Sequence, residues 1–383
     1  MQIDTLPAGD PVHRDQKCIV VPFAGKRRVL STCQLNGGYQ EGLTAVFNND
    51  VDPGDGTKCR LLAPSYEEHL ALTAEMLGLD RHTAAGMSTA ASMDNAAIRT
   101  ERFGSTAVTA VVTAGIEVNG GRVGDPASWD EAAEPEASVK AGTINIMLFI
   151  STDMSPGGLA RAMVTCTEAK AAALQELLVS SRYSMGIATG SGTDSTIVVC
   201  NEESPICLNN AGKHCKLGEL IGKAVKAAVK EALYLQTGLS PEKQHHILRR
   251  TERLGITEES LWEDFLKQNQ ERSIRREDFA EQMYKIGQRD ELVAAVSLYV
   301  HLLDQLLWGM LSPQEAYGMG QKILEMMMPE RKNAGRGEPS KERETEEDAG
   351  AVGIREKEQV LTVMIQQLKR RLNGFISIEE NTV

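Results

Sequence analysis

The stretch NNAGKHCKLGELIGKAVKAAVKEAL, residues 209–233, organises the reading of the whole chain. From Lys216 to Gln236, apolar residues recur at Leu217, Leu220, Ile221, Val225, Ala228, Val229 and Leu233. That spacing predicts one long helix with a buried stripe. Lys213, His214 and Lys216 stand at its start, the positive end of the helix dipole, where cations are disfavoured. The conflict asks for a ligand or a carboxylate nearby. A catalytic corner, an anion cradle at the helix N-terminus, a metal clip and an ordinary helix start all remain open. The clip is the weakest of these. His214 and Glu219 are five residues apart, about 140° around a helix, so they cannot face one ion. No HExxH and no tight Cys/His cluster occurs.

Before this helix, strand and helix signals mix. KCIVVPF (17–23) and RRVLSTC (27–33) read as short strands and a hairpin candidate. SYEEHLALTAEMLG (65–78) reads as a helix opened by Ser65 and Glu68 and stopped at Gly78. STAVTAVVTAGI (105–116), GTINIMLFI (142–150), YSMGIAT and STIVVC read as strands, and GGLARAMVTCTEAKAAALQELL (157–178) as a helix. Strands and helices do not alternate strictly. The expectation is an α+β core over 1–240, with α/β as the alternative.

After about residue 241 strand signals nearly vanish, and 241–330 reads as an all-helical extension. Residues 331–353 are charged, glycine-containing and free of aromatics, which predicts a flexible linker. A C-terminal amphipathic helix and tail follow at 354–383.

Composition narrows the function classes. The 383 residues carry a net charge of −12 without a basic stripe, which argues against a nucleic-acid partner. The most apolar window, 291–311, is broken by His301, Asp304 and Gln305, so no membrane span is expected. The seven cysteines include no CxxC pair, and the N-terminus has no leader-like apolar run. Reduced thiols in a cytoplasmic protein are the expectation.

Two further stretches carry candidate chemistry. In ATGSGTDSTIVV (188–199), Gly190 and Gly192 permit unusual φ or close backbone approach. No Lys and no helix follow, so it is not a P-loop. Asp194, between Thr193 and Ser195, is either an Asx turn or an exposed carboxylate beside hydroxyls. In VVTAGIEVNGGRVGDPASW (111–129), Asn119, Arg122 and Asp125 occupy a glycine-rich loop too long for a simple turn. Strand ends at Thr113, Ser88–Thr89 and Thr189 repeat a Thr-plus-small pattern that could floor one pocket. No GxSxG, SxxK or cysteine-protease signature occurs. The remaining histidines, among them His13, His69, His245 and His246, read as surface or packing.

Taken together and in order, STCQLNGG (31–38), MSTAASMDN (87–95), VVTAGIEVNGGRVGDP (111–126), GTINIMLFI, ATGSGTDSTIVV and GKHCKLGELIGKAVKAAVKEAL (212–233) resemble the adenosylcobinamide amidohydrolase family of the CbiZ type, over roughly 18–240. The resemblance implies hydrolysis of the aminopropanol amide of adenosylcobinamide to adenosylcobyric acid, a salvage step toward cobalamin. It implies a corrinoid partner whose cobalt belongs to the substrate, with no cofactor or metal of the protein's own. Amide hydrolysis needs an activated nucleophile, an acid for the leaving nitrogen and oxyanion donors. His214 is then the expected proton carrier, with Asp194 and Thr193 completing the catalytic set. Asn36, Ser88, Thr89, Thr113, Asn119, Arg122, Asp125, Asn145, Lys213 and Glu219 are the expected substrate-binding residues. The alternative is a non-catalytic corrinoid-binding or regulatory protein using the same pocket. The helical C-terminal region, outside the resemblance, suits a homo-oligomer contact or a protein partner.

Overall fold

The computed structural model describes residues 1–54, 59, 61–127, 130, 132, 142–269, 274–327 and 357–376. The linker expected at 331–353 lies outside them. The chain divides into two compact units, Met1–Lys243 and Gln244–Val383.

The first unit opens with β1 (Gln2–Thr5), β2 (Pro11–Asp15), β3 (Cys18–Pro22), β4 (Arg27–Ser31), β5 (Gly38–Gln40) and β6 (Ala45–Asp50). Helix α1 (Tyr66–Met76), β7 (Ala84–Thr89), β8 (Ala97–Phe103), β9 (Thr106–Ala114) and the short β10 (Gly120–Gly121) follow. Then come β11 (Ile144–Ile150), β12 (Asp153–Met154), α2 (Pro156–Glu176), β13 (Gly190–Ser191), β14 (Ser195–Asn201), β15 (Cys207–Leu208) and α3 (Lys216–Thr237).

Among the described residues these strands build two main sheets, ordered β1-β2-β3-β6-β7 and β5-β4-β14-β11-β9-β8. Each is antiparallel apart from one parallel pair, β6–β7 in the first and β11–β14 in the second. Parallel neighbours need a crossover, and α1 and α2 supply it. The class is α+β, as expected.

The period-2 alternation of the strands explains the layering. On β11, Ile144, Ile146, Leu148 and Ile150 pack with α2 and α3, while Met147 and Phe149 face the first sheet. On β3, Ile19 and Val21 meet that same inter-sheet core, while Cys18 and Val20 face α1. The unit is therefore α1, sheet, sheet, α2/α3 in four layers. All seven apolar positions of the α3 stripe are buried. Truncating one of the central strand residues, Leu148→Ala for instance, costs roughly 2–5 kcal/mol.

Two local expectations fail. KCIVVPF and RRVLSTC form no hairpin, because β3 and β4 belong to different sheets. The turn between them is a corner held from elsewhere: Phe23 N–H donates to Thr44 O and Ala24 N–H to Asp10 Oδ1, both at 2.8 Å. Arg27, buried at the corner, bonds Asp10 Oδ1 and Oδ2 and Asn201 Oδ1. YSMGIAT is not a strand either. Ser180 and Ile187 make one isolated bridge, and pairing resumes only at Gly190–Ser191.

The second unit is helical among its described residues: α4 (Ile247–Thr251), α5 (Glu258–Gln268), α6 (Arg276–Gly287), α7 (Asp290–Leu307), α8 (Pro313–Met326) and α9 (Lys357–Asn373). Phe265, Phe279, Tyr299, Leu303, Met364 and Leu368 share its core. Polar ties cross it too. Tyr299 donates to Met364 O at 2.9 Å, and Arg253 forks onto both Asp304 oxygens at 2.7 Å. Reciprocal caps open α5 (Thr257 with Ser260) and α8 (Ser312 with Glu315). Among the described residues no helix is long and apolar enough to cross a membrane.

Candidate functional site

Polar residues from distant parts of the first unit collect at one end of the two sheets. The register of β9, β11 and β14 sets Thr113, Asn145 and Ser195 side by side in one row. Asn48 of β6 closes the row from the other sheet. It donates to Thr113 Oγ1 at 2.7 Å and accepts from Asn145 Nδ2 at 2.8 Å. Asn145 also donates to Ser88 O at 3.0 Å, and its oxygen accepts from Ser195 N–H at 3.3 Å. Thr113, Asn145 and Asn48 are sealed between the sheets. Thr113 and Asn145 are therefore part of an internal clamp, not the open substrate contacts expected of them. Thr89 is buried as well, its hydroxyl accepting from Ala91 N–H.

On the helix side of the same row stands Asp194. Its Oδ1 accepts from Ile144 N–H at 2.8 Å and Ser191 Oγ at 2.7 Å. Its Oδ2 accepts from Ser191 N–H at 3.0 Å and pairs with the Lys170 ammonium, whose helix α2 runs past it. The two side chains are only 10% and 12% exposed. A Cβ at Gly190 would lie 2.4 Å from Asp194 Oδ2 and 2.9 Å from Lys170 Nζ. A larger residue there would have to push the Asp194–Lys170 pair aside. Thr193 donates to Gly142 O and shares a 2.6 Å hydroxyl contact with Thr143.

The glycine-rich loop continues this cluster outward. Asn119 donates to Gly142 O and accepts from the Tyr183 hydroxyl at 2.6 Å. Asp125 accepts from Ser181 Oγ at 2.6 Å and Arg122 N–H at 2.8 Å. Burial works against its charge, but the bonds from Ser181, Ser184 and Arg122 together hold the carboxyl below its usual range. Val118 and Val123 of this loop are exposed beside these polar groups.

The structure separates His214 from Asp194. The Asp194 cluster lies at the C-terminal end of α3, where Lys243 pairs with Glu117 and Gln236 accepts from Ser92 N–H and Asn95 Nδ2. His214 precedes the other end of this 22-residue helix, which is about 33 Å long at 1.5 Å per residue. There Lys216 lies over the Phe103 ring, beside the β8–β9 turn. His214 is exposed. The cations around it have found carboxylates, which answers the dipole conflict. Lys213 pairs with Glu168 at 2.8 Å, and Lys216 and Lys223 hold Glu219 down to about 2. Gly218 lets the 211–212 loop lie on the helix; a Cβ there would sit 2.1 Å from Gly212 O. Asn36 is also displaced from the cluster. At φ 49° it turns the chain, and its amide donates to Arg81 O and Ala84 O, at the end of β7 remote from Ser88. Lys213, His214, Glu219 and Asn36 thus do not share a basin with Asp194.

The profile of the adenosylcobinamide amidohydrolase family matches residues 3–241. The chain belongs to this amidohydrolase family. An adenosylcobinamide amidohydrolase of Methanosarcina mazei is 29% identical over 231 residues, 58% of this chain and 96% of that protein. An uncharacterized protein of Methanocaldococcus jannaschii is 34% identical over 242 residues, 59% of this chain and 89% of its own length. A crystal structure of the PH0078 protein from Pyrococcus horikoshii OT3 covers 61% of this chain and 81% of its own, at 11% identity and a TM-score of 0.31. A likeness that low carries no argument.

The family match, residues 3–241, ends where the helical unit begins. Five of the six motifs meet at the Asp194 end, Thr32 of STCQLNGG included, through bonds to both Thr196 N and O. The sixth reaches this end only with the C-terminal part of α3. Sequence reading missed Lys170, Ser191, Thr143 and Asn48. Lys170 had a legible signal: it falls on the border of the α2 stripe Ala162, Cys166, Ala169, Ala173, where an ammonium cannot sit without a partner. Asn48 had none, because its partners lie 65 and 97 residues away. Among the described residues, no group of three or more His, Cys, Asp or Glu side chains is placed to hold a metal ion.

Proposed function

We propose that the chain hydrolyses the aminopropanol amide of a corrinoid of the adenosylcobinamide type, and that the reacting end is the one built around Asp194 and Lys170. The observation that carries this reading is the convergence there of five motif segments spread over residues 31–199. The exposed Val118 and Val123 offer apolar contact to a large flat ring, next to the donors of the same loop. Cobalt enters with the substrate.

The reaction needs a nucleophile, a proton acceptor and a cation. Ser191 Oγ–H already points at Asp194 Oδ1 at 2.7 Å, within reach for a nucleophile and its base. As the oxygen attacks the amide carbonyl, Asp194 takes the proton. The largely buried Lys170 ammonium stabilises the developing oxyanion and gives the leaving amine its proton, so the amine departs and leaves the acyl group as an ester on Ser191. The proton held by Asp194 passes back to Lys170 across their contact; a water, deprotonated by Asp194, then hydrolyses the ester and Ser191 Oγ regains its proton. Thr193 keeps the turn in place, its N–H donating to Ser191 Oγ at 3.3 Å. His214 has no part in this chemistry. The product is the corrin carboxylic acid, consistent with a salvage role, in the cytoplasm. The helical unit serves a partner or a second copy of the chain rather than the reaction.

Chromatographic detection of cobyric acid tests the reading. Ser191→Ala and Lys170→Met are expected to lose turnover while far-UV circular dichroism stays native. Tight corrinoid binding by the native chain without any cleavage would favour a binding protein instead.

A further inference from the structure

The peptide bond between Gly142 and Thr143, where the chain enters β11, is surrounded as a scissile amide would be. Asn119 Nδ2 donates to the Gly142 carbonyl oxygen at 3.3 Å, and Thr193 Oγ1 donates to the same oxygen at 3.2 Å. Two side-chain donors, from positions 23 and 51 residues away, thus meet on one carbonyl. Such a pair stabilises the charge that develops when an amide is attacked. Gly142 has φ 124°, a conformation that residues with side chains rarely adopt, and a Cβ there would press on Asn119 at 3.1 Å. Asn119 and Thr143 are buried, so bulk water does not replace these bonds.

An attacking group is built into the same bond. A threonine hydroxyl can close a hydroxyoxazolidine ring onto the carbonyl carbon of the residue before it, so covalent connection alone brings Thr143 Oγ and Gly142 together. Thr143 Oγ1 lies 2.6 Å from Thr193 Oγ1. A hydroxyl has one proton to give. That of Thr193 is committed to Gly142 O, so Thr143 is the donor in their contact. The two hydroxyls form a relay from Thr143 through Thr193 to Gly142 O. Along it the proton of the attacking oxygen reaches the oxygen that becomes negative. The reaction at Ser191 uses only the N–H of Thr193 and leaves both hydroxyls without a task.

We propose that the chain cleaves itself between Gly142 and Thr143. Thr143 Oγ attacks the Gly142 carbonyl carbon while its proton passes through Thr193 to Gly142 O. The ring then collapses and the C–N bond breaks. The proton on Gly142 O moves to the Thr143 nitrogen, which leaves as an α-amine, and Gly142 is held as an ester on Thr143 Oγ. A water adds to the ester. Gly142 departs as a carboxylate, its proton taken by the new amine, and Thr143 Oγ regains a proton. One water is consumed and no oxidant, reductant or cofactor enters.

No corrinoid takes part, so the outcome is read apart from turnover. Intact-mass spectrometry of the purified full chain, held near neutral pH for a week, is the test. Fragments 1–142 and 143–383 are expected, their masses summing to the chain plus one water, the second beginning Thr143-Ile144-Asn145. Hydroxylamine, which attacks esters faster than amides, should speed the cleavage and leave Gly142 as its hydroxamate. Thr143→Val should stay whole and Thr143→Ser should cleave. Thr193→Val should cleave at least about tenfold more slowly. A native chain that stays whole, or breaks only at other bonds, overturns the proposal. Cleavage of Thr143→Val at this bond does the same, as does a native rate in Thr193→Val with a native far-UV circular dichroism spectrum.

Discussion

Deleting the Asp194 carboxylate should loosen one end of the second sheet by a calculable amount. Asp194→Ala strands four donors: Ile144 N–H, Ser191 N–H, the Ser191 hydroxyl and the Lys170 ammonium. Removing one partner of a buried pair costs roughly 3–5 kcal/mol. At 10% and 12% exposure, water reaches the stranded groups in part, which selects the lower end, about 3 kcal/mol. At about 1.4 kcal/mol per decade this is close to a hundredfold. With two units in the chain, a single global unfolding curve is not a clean measure, so local opening is the better observable. Hydrogen exchange read by mass spectrometry should show the Ile144 and Ser191 amides exchanging about a hundredfold faster, with α7 of the other unit unchanged. Lys170→Met removes one donor and leaves Asp194 three, so its effect should be nearer tenfold, for roughly 1.5 kcal/mol. An acceleration below about threefold at Ile144 in folded Asp194→Ala would refute the reasoning, because it means the carboxylate was not holding those donors.

Other outcomes follow from the same physics. Arg27→Met leaves Asp10, only 1% exposed, without its guanidinium; calorimetry should place the first unit's transition roughly 10 °C lower, and an unshifted transition contradicts the pairing. Iodoacetamide near neutral pH should label the exposed Cys59 and Cys207 before Cys166, which is fully buried and pushed up to about 12; early labelling of Cys166, mapped by peptide analysis, would go against the packing. Asp125 is held below its ordinary 3.8, so its contribution is present above that pH and is lost as pH falls through the lower folded value. Exchange at the Arg122 amide should be protected at about pH 5 and rise only below the ordinary carboxylate range; a rise already at about pH 5 would contradict the Ser181 and Arg122 bonds.

The sequence carries most of the architecture because periodicity is local. The α3 stripe, the Ser65 cap of α1 and the apolar strand runs of β9 and β11 are all local signals, and the structure keeps them. Sheet membership is not local. KCIVVPF and RRVLSTC look like hairpin partners until Arg27 is seen buried against Asp10 and Asn201, 17 and 174 residues away. The candidate site divides in the same manner. Thr193, Asp194, Asn119 and Asp125 stand where their motifs meet. His214 was grouped with them by chemistry alone, and the length of α3 carries it to the far end. Thr113 and Asn145 share the end but not the surface, because the β register turns them inward. Lys170 is legible as a lysine on the border of the buried α2 stripe, but its partner Asp194, 24 residues on, is not.

Cobyric acid formation by the His214→Ala and Lys170→Met chains, compared side by side, bears most directly on where the reaction takes place. The Asp194 end predicts turnover within about threefold of native for His214→Ala, and a loss of at least about a hundredfold for Lys170→Met, the usual effect of deleting an oxyanion-stabilising group. A hundredfold loss in folded His214→Ala, with Lys170→Met near native, would contradict it.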